Sequence, residues 1–509
     1  MADAPLHRSL WLDRSEPIAT DEWRNPGRVD VVVIGAGLSG LSCAAMLAEE
    51  GYSVVVLEAR HVGAVTTGNT TGKVSLLQGS RLSTIRSAVS RDLAQAYVGA
   101  NRAGQDWVMR HIRDSGVAFD ERTAVTYAST DAGAPTIEAE LDAASDLGLP
   151  VSTRHTLELP FAITSSVCLP GQYQIDAVDL LDSLVKTVRR QGGLVVEGVR
   201  ATEVTAGNPC VVSTNRGDVV GDRVVVATGS PFPKRGGHFA TLEPQRSYAI
   251  AYRWSGQPLE GMYLSVDAPS RSIRDAHRAD GSYLVVGGNG HRVGRDAPTS
   301  RNVDDLIEWT TATFSNTVAT HSWSAQDYRS TDELPHFGPI TAGSDRVFVA
   351  TGYAKWGLTN GVAAAIAIAG RLAGARPDWA QTLEERPPAF TAVRSTLSAG
   401  GEVAASLVHG WAAAELNADR DAVPDEGDGV VVRDGLAPVA VCTVDGITRR
   451  RSAVCTHLGG ILGWNNAERS WDCPLHGSRF SPAGDVLEGP AVLPLNEPER
   501  RQEASEGVL

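Results

Sequence analysis

Short apolar runs separated by longer amphipathic stretches organise most of this chain. Val31 to Ile34 is a run of β-branched residues too short for a helix, and it predicts a buried strand. Ala-rich Leu41 to Glu49 predicts a helix, and Val54 to Leu57 a second buried strand ending at Glu58. Helical spacing recurs over 81–116 (Leu82, Ile85, Val89, then Trp107, Met109, Ile112), over 134–147, and strongly from Ala177 to Arg190 before Gly192-Gly193. Leu194 to Val196, Val199 to Val204 and Val224 to Ala227 predict strands. Residues 247–335 alternate as an antiparallel sheet would, with Ser282 to Gly288 a strand, a loop at Gly290 to Gly294, and a helix from Val303 to Phe314. Arg346 to Gly374 predicts one more buried strand running into an Ala/Ile-rich helix that starts near Gly361. After the Pro-, Ala- and Asp-rich stretch 377–427 the runs shorten, at Gly429 to Arg433 and Val439 to Val444. The pattern predicts an α/β nucleotide-binding domain of Rossmann type, an α+β antiparallel-sheet domain, and a small all-β C-terminal domain. The boundaries expected are an arm at 1–28, a first module at 29–410, a linker at 411–429 and a last domain at 430–509. Within the first module, 29–80, 172–240 and 340–375 are assigned to nucleotide binding, and 81–171 and 241–339 to substrate.

Composition narrows the classes. The 509 residues are 42% hydrophobic and 21% charged, as in a soluble globular protein with a large core. A formal net charge of −14 argues against a nucleic-acid partner, since phosphate binding asks for a basic face. No apolar run reaches the length of a membrane span, and the N-terminal residues lack a signal peptide's apolar core. Six cysteines in so long a chain form no disulfide framework, so the cytoplasm is the expected compartment.

Between the first strand and helix stand Gly35, Gly37 and Gly40 in G-x-G-x-x-G spacing, with Leu38 and Ser39 inside the motif. Glycines there allow a tight turn and close approach to a pyrophosphate, which the helix N-terminus faces. Glu58, followed by Ala59 and Arg60, stands where a carboxylate accepts from ribose hydroxyls. The glycines alone would suit another α/β turn; the complete strand–helix–strand–acid unit reads as a dinucleotide site. Further stretches favour a flavin. In the loop 66–79, Thr70, Thr71 and Lys73 are candidates for the ribityl and ring edge. Ala227-Thr228-Gly229 ends a strand as many FAD proteins do. Beyond Gly352, the residues Gly357, Leu358 and Thr359 open a helix whose N–H groups suit the ring edge that gains negative charge on reduction. Lys355, Tyr353 and Arg274 are the candidate catalytic residues, and Tyr248, Tyr252, Arg253 and His291 are weaker candidates for meeting substrate.

In the last domain, Cys455 and His457 stand in C-x-H, and Cys473 and His476 in C-x-x-H. Two thiolates and two imidazoles suit structural zinc or a 2Fe–2S centre in which two Cys hold one iron and two His the other. Zinc fingers pair like ligands along the chain. Here each loop supplies one Cys and one His, which suits two loops clamping two irons.

This motif resembles the Rieske family, and Pro482 to Leu495 resembles the proline loop that covers such clusters. Gly460 and Leu475 stand where many respiratory members carry an extra disulfide. Ser478 matches a serine that bonds a cluster sulfur, and Phe480 replaces a frequent Tyr, which implies a middling to low potential. The remainder resembles the D-amino-acid oxidase and sarcosine oxidase flavoproteins, and the whole is similar to bacterial fusions of that module with a Rieske domain. The resemblance implies non-covalent FAD, for want of a Cys near 352–361 or a His in 66–75. It also implies a 2Fe–2S cluster, a small amine or amino-acid substrate, and an external electron acceptor. Dehydrogenase chemistry is favoured over an O₂-using oxidase. The alternatives are an NAD(P)H-driven reductase, disfavoured because a second nucleotide motif is missing, and a non-catalytic redox sensor or electron-transfer protein.

Overall fold

The computed structural model describes residues 5–296, 298–386, 422–435 and 437–498. Residues 411–421 of the expected linker lie outside them. The described residues form two compact units, one of 5–291 and 301–386, the other of 292–296, 298–300 and the C-terminal residues from 422.

In the first unit, the expected strand–helix–strand is Arg28–Ile34, Leu38–Glu49 and Val54–Leu57. Side chains Val31 to Ile34 and Val54 to Leu57 are all buried, as a parallel sheet covered on both faces requires. Arg28–Ile34 lies between Val54–Leu57 and Val219–Val226, parallel to both. Leu194–Val196 extends one side, and Val347–Thr351 with antiparallel His336–Pro339 the other. The second sheet runs Thr317–Ser330, Leu242–Trp254, Gly281–Arg292, Arg271–Arg278, Gly261–Ser265, Phe119–Ala128, Ser165–Ile175, Lys73–Val74. Thr317–Ser330 is antiparallel to Leu242–Trp254, and Phe119–Ala128 to Ser165–Ile175, whereas Gly261–Ser265 runs parallel to Phe119–Ala128. Among the described residues no helix is long and apolar enough to cross a membrane.

Three local expectations change. Lys73–Val74 is not part of a free loop but an edge strand of the second sheet, paired with Ser165–Ile175. Residues 290–292 continue a strand rather than forming a loop. His336–Pro339, expected on the substrate side, pairs into the parallel sheet.

The N-terminal arm is threaded into the first unit. Leu10 and Trp11 are buried, and the Trp11 indole Nε1 donates to Thr70 O at 2.6 Å. Trp323 Nε1 donates to Asn69 O at 2.9 Å, so two indoles brace the same loop.

The second unit has a three-stranded antiparallel sheet (Gly429–Asp434, Ala437–Val444, Ile447–Ser452) and a four-stranded one (Gly463–Asn465, Ser470–Asp472, Arg479–Phe480, Val486–Glu488). Thr299 joins it by donating to Asn465 Oδ1 at 2.7 Å.

At Gly40 an added Cβ would lie 2.0 Å from the Gly35 carbonyl oxygen. Gly40→Val should therefore force helix and strand apart, costing about 3 kcal/mol or more and releasing flavin, checked by thermal unfolding and flavin content after gel filtration.

Candidate active site and metal centre

The strand ends of the parallel sheet bring three motifs together. Gly35 has φ +108, and a Cβ there would lie 2.5 Å from Ala227 O, so the glycine turn and Ala227-Thr228-Gly229 are in direct contact. The Ala227 amide donates to Ile34 O at 2.9 Å, and the Thr228 hydroxyl to Ser230 O at 2.9 Å. Thr351 Oγ1 donates to Gly229 O, which links the 227–229 turn to the strand that ends at Gly352. Glu58 accepts from the Ala36 amide at 2.9 Å and the Arg60 amide at 2.8 Å, and its burial pushes its pKa up.

Two helices begin here, Leu38–Glu49 and Gly357–Leu372, and neither has a side-chain cap from its N-cap residue. Thr67 Oγ1 takes the Leu38 amide at 3.2 Å. Ser39 Oγ donates to Tyr353 Oη at 2.9 Å, tying the two N-termini to each other. A helix leaves its first N–H groups without intrahelical partners, so this corner concentrates donors and positive potential.

The turn before the second helix is strained. Ala354 has φ +48 and Lys355 φ +74, a region L residues rarely occupy. It is held by the Ala354 amide donating to Tyr328 O at 3.0 Å and by the Lys355 amide donating to the Asp327 carboxylate. Lys355 itself is exposed, and its Nζ reaches the strand at Gly290.

Several predicted roles need correction. Arg274 is buried, stacks over Trp11, and spends Nη1 on the carbonyls of Thr71, Gly72 and Ile175 and Nε on Asp275 O. It pins the 66–72 loop and has no reach for catalysis. Lys73 is buried in the second sheet, donating to Tyr263 O at 2.9 Å and Ser272 Oγ at 2.7 Å, with its pKa lowered to about 7 by burial. A flavin role for its ammonium is withdrawn. Tyr353, expected as catalytic, has its hydroxyl buried against Ser39, and burial raises its pKa, so it joins helices rather than moving protons. The Thr359 hydroxyl turns into a buried network with Asn101 at 2.6 Å and Gln78 at 3.3 Å, leaving only its backbone at the helix start. Of the weaker candidates, Tyr252 bonds Leu306 O, Arg253 pairs with Asp280, and Tyr248 pairs with His291 at 3.1 Å. Trp11, Trp323, Ser247 and Asp327 were not read from the sequence; only their place in a folded sheet reveals them.

In the second unit the two Cys/His loops close alike. The Cys455 amide donates to Gly460 O at 2.8 Å and the Gly459 amide to Cys455 O at 3.0 Å; the Cys473 amide donates to Ser478 O at 2.8 Å and the Gly477 amide to Cys473 O at 3.1 Å. Cys455 and Cys473 share a hydrogen bond that lowers one thiol and, with burial, raises the other. The His457 and His476 rings lie edge to face, centroids 5.2 Å apart, and burial lowers His476 to about 4, the neutral form a metal takes. Among the described residues no three His, Cys, Asp or Glu side chains gather on one metal position. A structural zinc needs four ligands on one ion, whereas a two-iron cluster needs two and two, so this donor set fits the latter. Ser478 accepts from the Ala491 amide at 3.0 Å and bonds Cys455, while Thr456 donates to Leu493 O at 2.7 Å, so segment 491–493 is tied to both loops.

Fold and sites define a flavin-binding oxidoreductase joined to an iron–sulfur module. The family model for FAD dependent oxidoreductases (DAO) matches residues 30–371, and the chain belongs to that family; the Rieske [2Fe-2S] domain model matches 416–499. FAD and a 2Fe–2S cluster are the cofactors of these two modules. Over 475 residues the chain is 28% identical to YhfW of Bacillus subtilis (strain 168), whose name designates a Rieske 2Fe-2S iron-sulfur protein, across 92% of this chain and 93% of that one. Glycine oxidase from Geobacillus kaustophilus is similar in fold with TM-score 0.59 at 18% identity, over 69% of this chain and 96% of its own. L-amino acid deaminase from Proteus vulgaris matches with TM-score 0.58 at 15% identity, over 72% and 99%.

Two outcomes are expected. Lys73, with a folded pKa near 7 against 10.5 unfolded, binds fewer protons folded than unfolded between those values. Its share of stability therefore rises with pH across that window, and Lys73→Met should flatten the slope of denaturant midpoint against pH while leaving flavin bound. Ser478→Ala should keep iron and acid-labile sulfide but lower the cluster potential, read by redox-poised EPR.

Proposed function

We propose that this protein is a dehydrogenase that takes hydride from the carbon beside the nitrogen of a small amine or amino acid. The electrons pass by way of FAD to the Rieske cluster and on to an external acceptor. The observation that carries this reading is the presence, in one chain, of two helix N-termini brought together at the strand ends of the parallel sheet and of two Cys/His loops with matched closure. FAD supplies a hydride acceptor when bound, and the cluster a one-electron relay.

In this reading Gly35, Gly37, Leu38, Ser39 and Gly40 cradle the pyrophosphate, and Glu58, Ala59 and Arg60 meet the ribose. Thr70 and Thr71 line the ribityl edge, and Ala227, Thr228, Gly229 and Gly352 let backbone approach the ring. The amides of Gly357, Leu358 and Thr359 face the edge where charge gathers, with Lys355 beside it. Cys455 and Cys473 hold one iron, His457 and His476 the other. The oxidoreductase module spans 29–410 and the Rieske module 430–509, joined by 411–429. Six free cysteines suit a reducing cytoplasm.

The test is anaerobic mixing of the holoprotein with amines, amino acids and NAD(P)H, followed by visible and low-temperature EPR spectra. Flavin bleaching with a reduced Rieske signal on adding an amine or amino acid is the expected result. Reduction by NAD(P)H alone would reverse the electron path. Reduction of the flavin only through the cluster would leave an electron-transfer protein.

A further inference from the structure

The second unit is not built from the C-terminal residues alone. Residues 292–296 and 298–300 belong to it, although they stand in the middle of the sequence, well before the linker. The chain forms this segment as it leaves strand Gly281–Arg292, and helix Ser300–Thr313 starts where the segment ends. Two of its residues act on the loop that carries Cys473 and His476.

The first is Gly294, which lies against the backbone of that loop. An added Cβ would stand 2.9 Å from Pro474 N, 3.0 Å from Pro474 Cα and 3.1 Å from Asp472 O, and φ here is +68. Main-chain atoms cannot turn aside as a side chain can, so only glycine allows this approach. Asp472 and Pro474 flank Cys473, so the contact bears on the ligand loop itself.

The second is Thr299, buried and linked to the same loop through Asn465. Its hydroxyl donates to Asn465 Oδ1 at 2.7 Å and accepts from the Ala467 amide at 3.2 Å. Asn465 Nδ2 then donates to Asp472 Oδ2 at 3.0 Å, and Asp472 directly precedes Cys473. Asn466 Oδ1 takes the Ser300 amide at 3.0 Å, which holds the far end of the segment. Asn465 and Asp472 are buried as well, and a buried network of this kind fixes the orientation of each member.

We propose that Gly294 and Thr299 are positioning residues for the iron–sulfur cluster, setting the place of Cys473 from a segment outside the C-terminal stretch. Gly294 bounds the 472–474 main chain by contact, and Thr299 orients Asp472 through Asn465. The inference rests on Cys473 as a cluster ligand and goes beyond that assignment; it does not depend on the substrate. Groups that orient metal ligands matter nearly as much as the ligands, and their loss weakens metal retention by about 10- to 100-fold.

The experiment uses dithionite-reduced full-length holoprotein, read by low-temperature EPR and by iron loss to a chelator. Thr299→Val, close in shape but without the hydroxyl, should move the g values of the reduced cluster and speed iron loss about tenfold. Thr299→Ser, which keeps the hydroxyl, should restore both. Gly294→Ala should move the g values while flavin content stays at the wild-type level. Val439→Ala, in the buried three-stranded sheet of the same unit, is the control for destabilisation alone; it should lower the unfolding temperature and leave the g values in place. If Thr299→Val and Gly294→Ala keep the wild-type g values, or if Val439→Ala moves them as far, the positioning role is wrong. Cys473→Ser tests the ligand assignment separately. A wild-type signal in that variant would overturn the assignment, and with it the route through Cys473.

Discussion

Helix N–H groups that have no intrahelical partner are the constraint on which the flavin unit is built. Leu38–Glu49 and Gly357–Leu372 both start without a cap from their own N-cap side chains, and the Ser39–Tyr353 bond draws those starts together. Orphan amides at one helix end already favour an anion; two ends in one corner do so from two directions. The small residues follow from this. Gly35 against Ala227 and Gly40 against Gly35 admit no side chain, because each Cβ would overlap a carbonyl oxygen. The parallel sheet is what delivers both strand ends, Ile34 and Val226, at matched register to that corner.

Strain enters at the same place. Two successive non-glycine residues in the left-handed region cost on the order of 1–3 kcal/mol each and persist only where surroundings over-determine them. Here Tyr328 O, the Asp327 carboxylate and Ser39 grip residues 353–355 in turn. Relaxing that turn would swing Lys355 away and tilt the first amides of the helix. The second sheet thus acts on the nucleotide-binding half through two consecutive residues of one strand.

Local pattern made the first strand–helix–strand unit legible, because buried parallel strands and a glycine turn are encoded within 30 or so neighbouring positions. The Cys/His loops were legible for the same reason. Lys73 and Arg274 were misread because nothing local distinguishes a buried cation from a ligand-seeking one. What decides it is that Tyr263, Ser272, Ile175 and Trp11, all distant in sequence, surround them. Asp327 was invisible for the converse reason: its meaning lies in an amide 28 positions later that only strand pairing brings near.

The iron–sulfur unit manages without an inter-loop disulfide, and the packing says how. At Gly460 a Cβ would lie 2.7 Å from Leu475 and 3.1 Å from the Cys473 sulfur, so the loops touch where a disulfide would otherwise stand. Beneath the second loop, buried Arg479 is ringed by Glu468, Asp472 and Glu488. Three carboxylates thus meet one guanidinium, and Asp472 directly precedes Cys473. Phe480, buried next to Arg479 in sequence, has no hydroxyl to offer a sulfur. The ion pairs of Arg479 and the packing of Gly460 against Leu475 thus fix the second loop from two sides without a disulfide.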